Sequence, residues 1–577
     1  MQKLLSLLAA TSMAFVTVSA VQPPPLIPAH PDARPSEVLC DNDPDETRLY
    51  STQSGSSYYA SPIMVPSPPP PPPAPRMALP TVAYEAADAA ASPQIALPAV
   101  RAPHQVENRE RYAGKQIAAV QRAAEVPVST FSVDVDTGSY ANARRFLMDG
   151  GLPPKDAVRT EEFLNYFRYD YPRPADASRP FSVTTDVART PWNADTRLLR
   201  IGIRGYDVPR ESRPAANLVF LVDVSGSMDE PDKLPLVKAA LTGLADRLNP
   251  ADRVSIVVYA GAAGVVLRPT ANKASVKAAI ECLQAGGSTA GGEGIQLAYK
   301  MARQSFLKDG INRVILCTDG DFNVGTTSDE ALTDLVKKQR DSGITLTTLG
   351  FGTGNFNESM MEKIADVGNG NYGYVDSAME ARKLLDEELS STLFTIAQDV
   401  KIQVEFNPAL VAEYRLVGYE NRALREEDFA NDKVDAGDIG AGHQVTALYE
   451  IVPAGGKGWL ADRRYAQASP VAASRTDEAA WLKLRYKLPG EARSRLIEQP
   501  VAASQFAAAG PATGDFAFVA AVGAFGQRLR GDTALGNFSL ADIRTLAGLP
   551  KDDTRREFVK LVALAEGRKM ASLQENE

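Results

Sequence analysis

Between residues 216 and 393 short apolar runs alternate with amphipathic stretches, and that rhythm leaves few folds open. "ANLVFLVDVSG", from Ala216, is nearly all apolar up to Asp223, as a strand buried on both faces must be. "KLPLVKAALTGLADRLN" follows with the spacing of a helix that turns one face to a core. The strands "DRVSIVVYA" and "AGVVLRPT" come next, then the helix "KASVKAAIECLQ". The exchange continues through "INRVILCTDG" and "ITLTTLGFG" and closes with "AMEARKLLDEELSSTL", read as a helix over 378–393. Buried strands joined by crossover helices predict an α/β domain with a doubly wound, Rossmann-like parallel sheet.

On either side of this unit the period drops to two. "PFSVTTDVAR" and "TRLLRIGIRGYDV" precede it; "DVKIQVEFNP", "VAEYRLVGYE", "HQVTALYEIVP" and "AWLKLRYKLP" follow. These are antiparallel-type runs, and together they predict one flanking β-sandwich into which the α/β domain is inserted. From Asp515 the spacing turns helical again, which predicts a small C-terminal helical unit. At 577 residues the chain exceeds what one core supports. The expected divisions are an N-terminal flank at 126–215, the α/β domain at 216–393, a C-terminal sandwich region at 394–510 and a helical region at 511–577.

Residues 1–20 read as an export signal peptide: Lys3, an apolar run from Leu4 to Val18, then the small residues Val18-Ser19-Ala20. The run is shorter than the ~20 residues of a membrane span; the alternative is an uncleaved anchor. Residues 21–125 are rich in Pro, Ala and Ser, including Pro68 to Pro73, and predict a disordered or polyproline linker. A spacer is the favoured role, a Pro-rich ligand the alternative. No later segment is apolar enough to span a membrane. The expectation is an exported protein of the periplasm or cell envelope, with no stable span in the mature chain. A net charge of −9 with no Lys/Arg cluster argues against a nucleic-acid partner. Cys40, Cys282 and Cys317 form no disulfide framework. Cys282 and Cys317 are expected to be buried thiols, with a single 282–317 bridge left open.

Three separated pieces carry the chemistry. Asp223-x-Ser225-x-Ser227 directly follows the first buried strand, Thr289 lies in the Gly-rich loop "GGSTAGG", and Asp319 directly follows "RVILC". In an open parallel sheet, ligands sit beyond the carboxyl ends of the strands, where the winding reverses. Three hydroxyls and two carboxylates offer only oxygen, which suits Mg²⁺ first, with Mn²⁺ or Ca²⁺ as alternatives, and disfavours Zn²⁺ or copper. Two carboxylates balance a divalent ion, so an Asp or Glu of a partner protein could complete the shell without repulsion. Taken singly, Asp-x-Ser-x-Ser equally fits a turn that caps the next helix. Asp321 and Asn323 are read as turn residues rather than a second ion site. Asp134 and Asp136 lack the spacing of a Ca²⁺ loop and are read as a helix cap.

"FLVDVSGSM", "GGSTAGGEGI" and "LCTDGDFNVG" resemble the metal-ion-dependent adhesion site of von Willebrand factor A (VWA) domains. The resemblance implies that Ser225, Ser227 and Thr289 ligate the metal, while Asp223 and Asp319 hold it directly or through water. The flanks resemble those of a bacterial envelope group. "STFSVDVDTGSYANARRFL" is similar to its N-terminal extension, and "EFNPALVAEYRLVGYENRALREEDF" to its C-terminal domain of unknown function. Members commonly carry a lipoprotein Cys after the signal; none stands there in this sequence.

Enzymatic chemistry finds little material. Of three His residues, His30 and His104 fall in the linker, and His443 reads as an exposed turn residue. "GGKGW" lacks the spacing of a phosphate loop. The sequence therefore predicts a non-enzymatic binding module. A metal-dependent phosphohydrolase using Asp321, or an adaptor for a chelatase or ATPase motor, remain the alternatives.

Overall fold

The computed structural model describes residues 109–574, except 134–135, 175–178, 210–211, 288–290, 321–328, 389–393, 435, 462 and 464–476. Residues 1–20, read above as an export signal, and most of the expected linker lie outside the described residues. The linker's end differs from expectation: residues 109–125, placed above in the disordered 21–125 stretch, belong to the folded body. Polar and aperiodic, they are held by particular bonds. Arg109 and Arg111 donate backbone N–H groups to the carbonyls of Gly354 and Phe356, and Glu110 pairs with Arg145 at 3.0 Å.

Among the described residues the α/β domain is preceded by β1 (Gln121–Arg122), β2 (Val128–Ser132), α1 (Gly138–Met148), α2 (Thr160–Tyr166), β3 (Phe181–Thr190) and β4 (Asn193–Gly205), with a short helical turn at Lys155–Ala157. The domain then runs β5 (Ala216–Asp223), α3 (Leu234–Ala245), β6 (Arg253–Tyr259), β7 (Ala263–Thr270), α4 (Lys273–Glu281), α5 (Gly291–Gln304) and β8 (Ile311–Thr318). It closes with α6 (Asp329–Asp341), β9 (Thr345–Phe351), α7 (Glu358–Val367), β10 (Tyr372–Val375) and α8 (Ala378–Arg382). The sheet order is β10-β9-β8-β5-β6-β7, parallel throughout except the β6–β7 edge pair. Every residue of β5 is buried. Its even positions, Leu218, Phe220 and Val222, join a core shared with α3 and α4, and its odd positions, Val219 and Leu221, join a core shared with α5 and α6. That is the two-faced burial the apolar run predicted. From β5 the chain winds one way to β6 and the other way from β8 to β10, so the switch point lies between β5 and β8. The helix expected over 378–393 is α-helical only to Arg382 and continues as a wider turn over Lys383–Glu388.

After the domain come β11 (Thr395–Phe406), β12 (Val411–Leu416), β13 (Ala423–Leu424), β14 (Ile439–Gly440), β15 (Gln444–Pro453), β16 (Glu478–Lys487) and β17 (Arg495–Ala502). One sheet runs β1-β12-β15-β4-β3 and another β13-β2-β11-β16-β17, with a common apolar core. Each sheet draws strands from both sides of the α/β domain, so the domain is inserted in a β-sandwich. The helices α9 (Ala503–Ala507), α10 (Gly514–Arg530), α11 (Leu540–Ala547) and α12 (Asp553–Gln574) follow. The C-terminal helical unit packs onto the α2 segment. Phe518, Phe525 and Phe558 meet Phe163 and Phe167 of the α2 segment in one aromatic core.

Buried ion pairs bind this frame to the α/β domain. Arg144 of α1 reaches Asp376 at 2.5 Å, Glu380 at 2.7 Å and Glu557 at 2.9 Å. Arg159 pairs with Glu358 at 3.0 Å and Glu362 at 2.6 Å on α7. Asp136 does not cap α1, contrary to expectation: its carboxylate accepts from Tyr372 N at 2.8 Å and pairs with Arg422 at 2.7 Å. Thr137, not Asp136, occupies the cap position of α1. Cys317 is a free buried thiol, whereas Cys282 is disulfide-bonded, so the two are not bridged to each other and only Cys317 meets the expectation. Cys40 lies outside the described residues.

Candidate metal centre

Asp223 ends β5 and Asp319 immediately follows β8, so the parallel pairing of these neighbours brings both carboxylates to the switch point. Both are fully buried. Asp223 is fixed from three directions. Its Oδ1 accepts from Ser225 N at 2.9 Å, and its Oδ2 accepts from the Tyr259 hydroxyl at 3.0 Å and the Thr318 hydroxyl at 3.1 Å. Burial pushes the Asp223 carboxyl above its ordinary range; hydrogen bonds from Ser225 oppose the rise and the nearby charge of Asp319 adds to it. After Asp319 the chain turns sharply at Gly320, whose φ is +91°, and a Cβ there would meet Asn357 N at 2.4 Å.

The loop after Asp223 forms a short helical turn, Gly226–Asp229, with Met228 buried in the domain core. Anchoring Met228 leaves Ser225 buried and Ser227 exposed, with their hydroxyl oxygens 3.1 Å apart. Gly226 N donates to Gly287 O at 3.0 Å, and Gly286 N to Val224 O at 2.8 Å. The Gly-rich loop is thereby stitched to the Asp/Ser loop. Thr289, two residues beyond Gly287, lies outside the described residues, as do Asp321 and Asn323.

The donor set suits a small hard cation. Two ligands in neighbouring octahedral positions at ~2.1 Å stand ~3.0 Å apart, and the separation of Ser225 Oγ and Ser227 Oγ is 3.1 Å. Among the described residues no His or Cys stands with these donors; Cys317 is buried in β8, with its thiol pushed up to about 12 by burial.

The sequence did not single out Lys233, whose ammonium lies 3.0 Å from Asp319 Oδ2. Its one signal was position: a cation at the start of a helix opposes the helix dipole. Tyr259 and Thr318, at strand ends beside Asp223, were also missed, because apolar strand runs conceal their role. His443 is half-buried rather than exposed; its carbonyl accepts from Gly205 N at 2.8 Å, tying the turn before β15 to β4.

Comparison with known proteins agrees with this architecture. Residues 217–387 match the family model described as von Willebrand factor type A domain, residues 106–200 match one described as von Willebrand factor, and residues 391–567 match one described as YfbK, C-terminal. The chain thus carries a VWA domain between flanks of a particular kind. It is 48% identical to YfbK of Escherichia coli K12 over 461 residues, 78% of this chain and 80% of that one. The chain belongs to the YfbK family. Protein sll0103 of Synechocystis is 35% identical over 187 residues, 32% of this chain and 43% of its own length. Among solved structures, BatB of Bacteroides thetaiotaomicron is similar at 26% identity and a TM-score of 0.27, covering 30% of this chain and 98% of its own.

Proposed function

We propose that this chain is an exported protein-binding module, of the adhesion or assembly type, whose VWA domain grips a partner's Asp or Glu through a divalent cation. Ser225, Ser227 and Thr289 would ligate the ion, and Asp223 and Asp319 would hold it directly or through water. Mg²⁺ suits the all-oxygen set first, with Mn²⁺ or Ca²⁺ as substitutes. Bound there, the ion supplies a directional positive contact for an incoming carboxylate.

The observation that carries the reading is the pair of serine hydroxyls, spaced at 3.1 Å as neighbouring octahedral ligands, beside two carboxylates at the switch point. Ser227 is exposed at the surface, where a partner can approach. Binding of this kind needs no proton transfer, in keeping with a chain that holds three His residues. The place of action is the periplasm or cell envelope, on the strength of the signal-like residues 1–20; fractionation that finds the intact chain in the cytosol would contradict it.

Affinity capture from envelope extract tests the grip, comparing Mg²⁺ with chelator and wild type with Thr289→Ala. A partner is expected only with wild type and Mg²⁺. Equal retention in all four conditions would move the binding surface off the metal.

A further inference from the structure

We infer that Lys233 sets the charge of the metal centre and so makes the loaded centre selective for an anionic partner. The inference rests on the metal-centre reading and names the residue that supplies its specificity.

Lys233 is placed at some cost. It occupies the N-cap position of α3, where its side chain makes no capping bond and the helix dipole repels a cation. Its side chain is 7% exposed and that of Asp319 is 0% exposed, so their 3.0 Å pair is removed from water. The route to Asp319 is shaped for it. The aliphatic stem crosses Gly352, where φ is +72° and a Cβ would lie 2.4 Å from both Cγ and Cε of Lys233. Only glycine meets both conditions, a positive φ and an open path.

Charge counting gives the consequence. Asp223 and Asp319 alone would bring a divalent ion to neutrality, leaving an incoming carboxylate neither attracted nor repelled. Lys233 adds one positive charge, so the loaded centre is left at +1. A partner carboxylate cancels that residue of charge in a poorly solvated place; a hydroxyl or amide does not. Without the ion, Lys233 sets a positive charge 3.0 Å from the buried Asp319 carboxylate. Lysine and metal therefore share Asp319, and metal uptake is weaker than the oxygen set alone would allow.

The test is calorimetric titration of the full chain with Mn²⁺ at low ionic strength, with and without acetate as the carboxylate probe. Wild type is compared with Lys233→Met and Lys233→Gln, and melting curves with and without Mn²⁺ check folding. Both substitutions are expected to tighten Mn²⁺ binding about tenfold, by removing a competing cation. They should also enlarge the Mn²⁺-induced rise in Tm. Acetate should strengthen Mn²⁺ binding in wild type, and that coupling should vanish in the variants. Mn²⁺ binding equal to or weaker than wild type, with the acetate effect intact, would overturn the inference. If neither wild type nor variants take up Mn²⁺, the metal-centre reading fails and takes the inference with it; uptake by wild type separates the two failures.

Discussion

The Tyr259 hydroxyl donates to Asp223 Oδ2 at 3.0 Å, across the register that sets Tyr259 opposite Asp223 in neighbouring parallel strands. Thr318 reaches the same oxygen from the strand on the other side. The carboxylate is thus oriented from both sides of the sheet at Oδ2, while the loop fixes Oδ1 through Ser225 N.

Tyr259→Phe should therefore weaken the centre without dismantling it. Loss of a bond that orients a metal-holding carboxylate is expected to lower Mg²⁺ affinity roughly tenfold, with a stability loss of about 1–3 kcal/mol. Calorimetry and urea denaturation measure the two effects. Unchanged affinity would show that Asp223 needs no support from β6.

Asp319→Ala removes the partner of a buried ammonium. It should cost about 3–5 kcal/mol of stability, and Mg²⁺ should restore none of it. Adding Lys233→Met to Asp319→Ala should recover part of the loss, because the stranded charge goes with it. A double variant no more stable than Asp319→Ala would contradict the pairing.

Arg144 holds three carboxylates from two directions: Asp376 and Glu380 at the last helix of the VWA domain, and Glu557 in α12. Arg144→Met takes the guanidinium from all three, with the Tyr166 hydroxyl still donating to Glu380, and should destabilise the protein by about 3–5 kcal/mol. Amide exchange should quicken first in α8, which Arg144 joins to the sandwich frame. Exchange that quickens uniformly would argue against a local clamp.

Much of this was legible because burial imposes period. The β5 run announced a strand covered on both faces, and the positions of Asp223 and Asp319 after two such runs placed them at the switch point. What escaped was whatever depends on contacts made across the fold. Residues 109–125 have no apolar rhythm, yet backbone bonds to Gly354 and Phe356 order them. Asp136 looked like a local cap, but it pairs with Arg422, distant in sequence. β17 carries Pro500, which a central strand could not accept, and it forms the edge beside β16. Lys233 was visible only as a charge at the wrong end of a helix.

Glu162 and Glu358 give the protein a pH response. Burial pushes Glu162 up to about 8 and Glu358 up to about 7, although Arg159 lies beside both. In the unfolded chain each titrates near ~4.3. Between those values the folded state binds more protons than the unfolded state, so the stability these groups contribute is complete below the unfolded value and is lost as pH rises through the folded ones. Urea midpoints should fall between about pH 5 and pH 8.5. Glu162→Gln, with no proton to release, should flatten the fall; an identical slope would contradict the assignment.

Calorimetric titration of the chelator-stripped chain with Mg²⁺ tests the adhesive role at its root. One ion per chain is expected, with Ser225→Ala and Thr289→Ala each weakening uptake roughly tenfold or more, as loss of a direct ligand requires. No heat of binding in wild type, or uptake indifferent to both substitutions, would contradict it.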